Sequence, residues 1–374
     1  MSLLLMLGCI KEYNPQYDSD SIQKYVIHGM VTDQEGWQEV NVSITSSTQD
    51  PKYIPVLNCK VEIKDDLGQK FILEPYENGT YRVWMNQEYL VPGRSYQVQV
   101  TSHDGQVMES SFDQMPTGPE IEEVYYQVED HPTNDPDEWL RGIQYYINFQ
   151  AHEEDSKFYR WQLTETWEFH SAYPIEFYYD GQIQHVFPPD YSLFYCWRTR
   201  LVDEVFTLST QNLSDNSYEA FPLHFVRDNT ERLSVYYSLL VKQIALSQEA
   251  FSYWDQIRIN NSIGEGLYGS QPIAISGNIT NTSDEDLQVL GFFQASSVST
   301  KRLFTGPVEG LDLDFSDNCN PALLRVGLRE ITPDMYPGYL MEYGGTWIPV
   351  LLNVECVDCT SRFGVTTKPD YWPI

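Results

Sequence analysis

The chain has 374 residues and a formal net charge of −31, from 54 acidic and 23 basic side chains. A negative field of this size repels phosphate backbones, which argues against nucleic acid as a partner. Hydrophobic residues make up 41% of the chain and aromatic residues 14%, a composition that excludes an intrinsically disordered protein.

The N-terminus carries a short apolar stretch that ends in Gly8-Cys9. A small residue before a cysteine, after an apolar run, is typical of bacterial lipoprotein signal peptides, in which that cysteine is lipidated. The stretch is shorter than a usual signal peptide and no basic residue precedes it, as expected if the start codon is assigned too late. We therefore expect lipidation at Cys9, with residues 1–22 forming a signal remnant and a tether.

Short segments of alternating apolar and polar residues follow, separated by turn residues. These segments are 25–31, 40–46, 59–63, 71–73, 80–84, 96–100 and 107–112. About seven short strands with this turn spacing predict an Ig-like antiparallel β-sandwich over residues 23–115. The run from Met115 to Pro119 contains two prolines and a glycine, and we place a domain boundary there.

Residues 119–374 are predicted to form a larger β-rich domain with one clear α-helix, so the fold class is mainly β. Period-two patterning at 145–150, 158–169 and 233–244 indicates strands. For the helix, Ser247 is the expected N-cap and Glu249 lies in the first turn. Its apolar stripe consists of Ala250, Phe251, Trp254 and Ile257, and its end is expected at Asn260, Asn261 and Gly264. Residues 305–345 are predicted to be mostly irregular.

Glu165 is unusual because it shares one face of the predicted strand 158–169 with aromatic and apolar residues. These are Tyr159, Trp161, Leu163, Trp167 and Phe169. A carboxylate there is costly to bury unless it is paired or protonated. It is either a ligand-contacting or catalytic acid, or a buried carboxylate paired with an arginine such as Arg198 or Arg200. We favour pairing, since the sequence offers no second carboxylate to work with it.

Four cysteines, Cys196, Cys319, Cys356 and Cys359, remain after Cys9 is assigned to lipid and Cys59 to an apolar strand face. An even number in an oxidising compartment predicts two disulfides, and the sequence leaves their pairing open. A four-thiolate zinc site is the alternative, because Cys356-x-x-Cys359 has ligand spacing. Such a site usually draws on two pairs of this kind, so disulfides are favoured.

Other motifs point to no catalytic residue, cofactor or metal, and we predict that the protein is not an enzyme. Asp312, Asp314 and Asp317 are spaced like calcium ligands, but the loop lacks the glycine and distal glutamate of an EF-hand. The glycines of 264–269 match a dinucleotide fingerprint. A helix precedes them, whereas the fingerprint requires a strand before the glycines and a helix after them.

Motifs in a fixed order along nearly the whole mature chain resemble the Bacteroidota outer-membrane lipoproteins grouped as domain of unknown function 4249. They are Val26 to Asp33 (VIHGMVTD), Pro92-Gly93 with Tyr96, Trp161 with Glu165-Thr166-Trp167, Cys196-Trp197, Tyr237-Ser238 with Gln243, Leu246 to Trp254 (LSQEAFSYW), Gln271-Pro272, Gly277-Asn278, Val289 to Phe293 (VLGFF), Ser296 to Arg302 (SSVSTKR), Cys356 with Asp358-Cys359, and Lys368-Pro369-Asp370 with Trp372. Cys59 and Cys319 depart from the family's pattern.

The resemblance implies an N-terminal sandwich like the regulatory modules of carboxypeptidases and a companion role beside a TonB-dependent outer-membrane transporter. We expect a surface-exposed, lipid-anchored accessory or ligand-binding subunit of an uptake complex, with a small-molecule, glycan or peptide ligand. One alternative is a structural or assembly lipoprotein of the cell envelope with no nutrient ligand. A secreted hydrolase is a weaker alternative, because the sequence offers no catalytic motif.

Overall fold

A computed structural model describes residues 23–47, 50–263, 275–316, 318–343 and 346–373. The first nine strands are β1 (Tyr25–Thr32), β2 (Gly36–Ile44), β3 (Ile54–Pro55), β4 (Lys60–Asp65), β5 (Lys70–Pro75), β6 (Thr80–Met85), β7 (Ser95–Thr101), β8 (Val107–Ser110) and β9 (Asp113–Gln114). All seven segments predicted between residues 25 and 112 are therefore confirmed as strands, with ends that differ by a few residues.

The rest of the chain is also mainly β. Its strands and helix are β10 (Ile121–Pro132), β11 (Trp139–Gln150), β12 (Phe158–His170), β13 (Ile175–Tyr179), β14 (Ile183–Asp190), β15 (Tyr195–Leu201), β16 (Phe206–Ser209), β17 (Ser217–Arg227), β18 (Tyr236–Ala245), α1 (Gln248–Ile263), β19 (Ile279–Asn281), β20 (Leu290–Ser296), β21 (Val298–Thr305), β22 (Ala322–Leu323), β23 (Gly338–Tyr343) and β24 (Thr346–Leu352). Short 3₁₀ helices lie at Gln87–Tyr89, Glu231–Leu233, Gly327–Glu330, Pro333–Met335, Val354–Cys356 and Cys359–Arg362. The predicted mainly-β fold class is confirmed.

Eleven strands form one sheet that closes over its own core. Their order is β19-β8-β7-β4-β5-β6-β2-β1-β20, with β3 beside β2 and β9 beside β7. Alternate residues of the two halves point inward, among them Val40 and Val42 of β2 and Val98 and Val100 of β7. Burial of these aliphatic side chains between facing strands stabilises the sandwich. Strands β19 and β20 come from far along the chain, and their place in this sheet was not predicted from the sequence. The predicted domain limits stay a prediction.

A second sandwich lies behind the first. Its sheets are β10-β11-β17 and β15-β12-β18-β21, with β16 beside β12. Between them lies an aromatic core that includes Tyr145, Phe149, Tyr159, Trp161 and Tyr237, all fully buried. A smaller sheet, β14-β13-β23-β24-β22, completes the fold. Its strands β22 and β23 lie within residues 305–345, so that region is less irregular than predicted.

The predicted helix is present as α1, and Ser247 caps it. The backbone N–H of Ala250 donates to Ser247 Oγ over 3.1 Å, which satisfies one of the free N–H groups at the helix start. The end is predicted at Asn260, Asn261 and Gly264, and α1 extends past both asparagines to Ile263, directly before Gly264. Asparagine is only moderately unfavourable inside a helix. Gly264, the other expected stop signal, lies outside the described residues.

One stretch of chain belongs to both sandwiches. Strand β20 pairs in parallel with β1 of the first sandwich, and after the single residue Ser297, β21 pairs with β18 of the second. Polar contacts fix this junction: Asp113 Oδ2 accepts from the Ala295 N–H over 2.8 Å, and Asp33 Oδ1 accepts from the Val298 N–H over 2.9 Å. The two sandwiches are therefore held together by continuous backbone.

Gly291 permits the parallel pairing of β20 with β1. Its φ is +102°, and a Cβ at this position would lie 1.9 Å from the carbonyl oxygen of Ile27. A side chain would meet both an unfavourable backbone conformation and a backbone atom that cannot move aside.

We expect Gly291→Ala to lower the free energy of unfolding by at least about 3 kcal/mol, since strain and overlap act together. Chemical denaturation with the disulfides intact measures the loss. Gly93→Ala is the matched control, because Gly93 also has a positive φ but open space around it, and it should cost only about 1 kcal/mol. Equal losses in the two variants would contradict the close approach of β20 to β1.

Candidate functional site

A cleft of about 750 Å³ opens between the first sandwich, the second sandwich and helix α1. Its walls come from β1 and β2 on one side and from β12, β18, β20 and α1 on the other. The volume lies within the range of clefts that hold small ligands. The cleft sits directly beside the junction where β20 passes into β21.

Strand alternation brings three polar side chains to the floor of the cleft. On β12, Tyr159, Trp161 and Leu163 point into the aromatic core, whereas Arg160 and Gln162 line the cleft. Gln162 lies directly across from Lys242 of β18, which also lines the cleft. These residues lie on the face opposite the aromatic row that drew attention to Glu165, so they were not predicted from the sequence. The period-two pattern of β12 nevertheless indicates that Arg160 lies on the face opposite Tyr159 and Trp161.

The floor of the cleft holds two cations, Arg160 and Lys242, that form no ion pair with a carboxylate of the described chain, although the charges of Asp33 and Glu39 act on Lys242 from a distance. Burial lowers the pKa of Arg160 to about 10. Burial and the neighbouring Arg160 also lower the pKa of Lys242 and of His28 on β1. Within the part of the chain that the structure describes, the side chains of Arg160, Gln162, Lys242 and His28 form no hydrogen bond or ion pair with protein groups.

Aromatic rings form the wall that faces these cations. The guanidinium of Arg160 stacks on Trp254 of α1, with 3.6 Å from its carbon to the ring centroid. Trp254 is held in turn by its Nε1–H, which donates to Gln294 Oε1 over 2.6 Å. Tyr253 stacks on Phe292 with 5.0 Å between ring centroids. Because each ring is packed or hydrogen-bonded, the wall has a defined shape without a ligand.

An exposed aromatic surface continues from the cleft mouth along the outer face of the first sandwich. Trp37 lines the cleft and meets Trp84 of the neighbouring strand edge-on, with 5.6 Å between ring centroids. These two side chains remain 48% and 49% exposed. Arg82 lies against both Trp37 and Tyr76, at 4.2 and 3.6 Å from the ring centroids. Flat rings of this kind, accessible from solvent, suit contact with another ring or an apolar ligand face.

Glu165, the acid singled out from sequence, lies in the second sandwich and does not line the cleft. Its side chain is fully buried, and it accepts hydrogen bonds from Arg200 Nε over 2.5 Å, Arg232 Nη1 over 3.1 Å and Tyr237 Oη over 2.8 Å. Burial alone would raise the pKa of Glu165. The nearby His224, 3.6 Å away, the charge of Arg232 and the hydrogen bond from Arg200 outweigh burial and hold that pKa well below its usual range.

Of the two arginines that the sequence offered, Arg200 pairs with Glu165, and Arg198 lies near the rings of Trp167 and Phe363 instead. Arg232, which the sequence did not indicate, is the second partner. No surface gives a ligand access to the covered carboxylate. The geometry therefore favours a structural ion pair over a ligand-contacting acid.

The four candidate cysteines form two disulfides, Cys196–Cys359 and Cys319–Cys356. The two cysteines of the Cys-x-x-Cys segment thus bond to different partners and leave no thiolate for zinc. Cys59 is free and buried, and burial raises the pKa of its thiol.

The remaining sequence motifs are only partly covered by the structure. Asp312 and Asp314 are described, and the structure shows no group of three or more metal-ligating side chains within the described ranges. Asp317, the glycines of 264–269 and Cys9 lie outside those ranges. No helix in the described chain is both long enough and apolar enough to cross a membrane.

We expect Glu165→Gln to lower the free energy of unfolding by about 3 kcal/mol, because the variant leaves Arg232, which is only 12% exposed, without its carboxylate. Urea denaturation with the disulfides intact provides the measurement. Glu204→Gln is the control: Glu204 is exposed and 3.8 Å from His224, so its loss should be small. A change below about 1 kcal/mol in Glu165→Gln would contradict the structural role.

Comparison with known proteins identifies a family of unassigned function. The family model described as a domain of unknown function, DUF4249, matches residues 10–302. No curated protein matches the chain.

Solved structures with local similarity include trypsin-activated alpha-2-macroglobulin from Escherichia coli, 13% identical, with 61% of this chain and 15% of that chain covered and a TM-score of 0.20. Another is the tetra-tandem repeat in the extending region of a large adhesion protein, 12% identical, with 80% and 51% covered and a TM-score of 0.16. The chain thus spans 15% of the alpha-2-macroglobulin and about half of the adhesion-protein repeat. Scores this low carry no argument about fold or function.

Proposed function

Because the chain belongs to the DUF4249 family, a domain of unknown function, we propose its function from the geometry of the cleft. We propose a ligand-binding lipoprotein of the Bacteroidota outer membrane, which serves as an accessory subunit of a TonB-dependent uptake complex. The observation that carries this proposal is a preformed cleft of about 750 Å³, lined by aromatic rings and by polar side chains that lack protein partners. Such features are typical of small-molecule sites.

The cleft favours a ligand-binding protein over a purely structural one. A protein that serves only as scaffold has no need to keep the partly buried cations Arg160 and Lys242 without an ion pair, since removing a charge from water without pairing it lowers stability. Natural proteins retain such costs mainly at functional sites. The exposed pair of Trp37 and Trp84 at the cleft mouth adds contact area for a ligand.

The cleft supports binding more than hydrolysis. A hydrolase needs a nucleophile beside a base or two carboxylates that converge on the reacting atoms. His28 is the histidine of the cleft, and the described lining residues include no serine or cysteine beside it. The carboxylates Glu35 and Glu39 also line the cleft. Glu35 accepts a hydrogen bond from the backbone of Gln87, and Glu39 lies across from Arg82 of the neighbouring strand.

In this proposal the lipid anchor keeps a weak binder close to its transporter. Two acyl signals are needed for stable attachment, and an acylated Cys9 supplies them. The thirteen residues of 10–22 span at most about 45 Å when fully extended, so the start of the fold at residue 23 would stay within that reach of the membrane. Tethering raises the effective concentration of a captured ligand at the transporter without any new contact.

Lipidation is tested by metabolic labelling with an alkyne fatty acid in a Bacteroidota host, with the gene at its native locus so that the natural start is used. We expect label on the wild-type protein in the outer-membrane fraction and no label on Cys9→Ser. Cys59→Ser is the control, because it removes a thiol that is buried in the sandwich, and it should remain labelled. Equal labelling of Cys9→Ser and the wild type would contradict the anchor.

The transporter partnership is tested by mild-detergent purification of the C-terminally tagged protein and mass spectrometry of what accompanies it. A TonB-dependent β-barrel transporter recovered in near-equal amount is the expected result. A labelled, membrane-bound protein recovered without such a partner would contradict the uptake role and favour the structural alternative.

A further inference from the structure

We propose that the cleft holds its ligand through an anionic group, a carboxylate or a phosphate, bound by Arg160, Lys242 and Gln162. This inference rests on the ligand-binding role proposed above and adds the chemical class of the ligand. Its basis is the local charge: a protein with a net charge of −31 places two cations together in one cleft, and neither of them forms an ion pair with a carboxylate among the described residues.

The spacing of the three side chains suits a single oxyanion. Gln162 and Lys242 are directly opposite on neighbouring antiparallel strands, which places their Cβ atoms about 5 Å apart. Arg160 is two residues before Gln162 on the same face and pairs with Ile244, so it is the diagonal neighbour of Lys242, at about 7–8 Å. An oxyanion above this face can reach the guanidinium, the ammonium and the amide N–H group together.

The donors of Arg160 are oriented and unused. Its guanidinium lies on the face of Trp254, and stacking leaves the N–H groups in the guanidinium plane available for hydrogen bonds. Because Arg160 is largely shielded from water, burial lowers its pKa. A ligand oxyanion would restore the interactions that the charge loses on burial. Hydrogen bonds between charged groups are about twice as strong as those between neutral ones.

Two acids lie near the cations, and their charges favour the protonated form of Lys242, but neither forms an ion pair with Lys242 or Arg160. Asp33 accepts a hydrogen bond from the Val298 N–H at the junction of β20 and β21. Glu39 is exposed and sits across from Arg82. Asp33 and Glu39 also limit which anions can bind. They repel a ligand that carries negative charge outside the single group bound on the floor of the cleft.

The aromatic wall indicates a ring next to that group. Trp254 and Tyr253 line the cleft beside Arg160 and His28, and Trp37 continues the aromatic lining to the mouth. Glucuronate, glucose 6-phosphate and glucose are therefore suitable probes, because they share one ring and differ only in the group they carry. The first two probes separate a carboxylate from a phosphate, and glucose is the neutral reference.

The test is isothermal titration calorimetry of the intact protein with these three sugars at low ionic strength. We expect at least one anionic sugar to bind about tenfold more tightly than glucose. Arg160→Gln and Lys242→Gln should each weaken that binding by about tenfold. Arg258→Gln is the matched control: it also removes a cation near the cleft, from the same helix as Trp254, but Arg258 is exposed and already paired with Asp255. It should leave the affinity unchanged.

Gln162→Glu separates ligand binding from a structural role. It places a carboxylate directly across from Lys242, so it should raise the melting temperature while it abolishes binding of the anionic sugar. A purely structural function for the cations predicts the higher melting temperature with no effect on binding. This variant also keeps the test valid if Arg160→Gln fails to fold.

Three results would overturn the inference. The first is that glucose binds as tightly as both anionic sugars. The second is that binding of the anionic sugar persists in Arg160→Gln, in Lys242→Gln and in Gln162→Glu. The third is that none of the three sugars binds. The first would leave the ligand-binding role intact and remove only the anionic class. The proposal of a lipid-anchored uptake subunit fails through different measurements, which are a wild-type protein that takes up no lipid label or a purification that recovers no transporter.

Discussion

Strand pairing on both sides of Ser297 ties the two sandwiches of this protein together. Strand β20 continues the first sandwich through its parallel pairing with β1, and β21 continues the second through β18. Ser297 itself is fastened, because its Oγ donates to the carbonyl of Pro116 over 2.6 Å and its carbonyl accepts from Ala245. Rotation of one sandwich against the other would break these strand pairings. The relative position of the cleft walls is therefore fixed by backbone hydrogen bonds.

A cleft with fixed walls can hold cationic side chains that form no ion pair within the protein. Arg160 and Lys242 project from the paired strands β12 and β18, so strand pairing fixes where both side chains enter the cleft. The wall opposite is fixed as well, since Trp254 is hydrogen-bonded to Gln294 of β20. A preorganised site loses little conformational entropy when it binds. The destabilising effect of the unpaired charges is offset by the aromatic core beneath them and by the two disulfides.

Local patterns predicted well what local interactions determine. The alternation of the first seven strands and the cap at Ser247 were visible in sequence, because each depends on neighbouring residues. The pairing of 290–296 with β1 was not, since it joins segments more than 250 residues apart and no turn signals it. The cleft was missed for the same reason: Arg160 and Lys242 meet only when β12 pairs with β18. The disulfides were predicted in number but not in connectivity, which depends on the tertiary fold.

Backbone hydrogen exchange, followed by mass spectrometry on the intact, disulfide-bonded protein, tests this account most directly. If residues 290–305 hold the two sandwiches together, the amides of β20 and β21 should exchange as slowly as those of β1 and β18, through global unfolding alone. Rapid exchange of 290–296 while β1 stays protected would show that β20 detaches on its own. The cleft would then have no fixed walls, and the claim that its shape and charge exist before any ligand arrives would be contradicted.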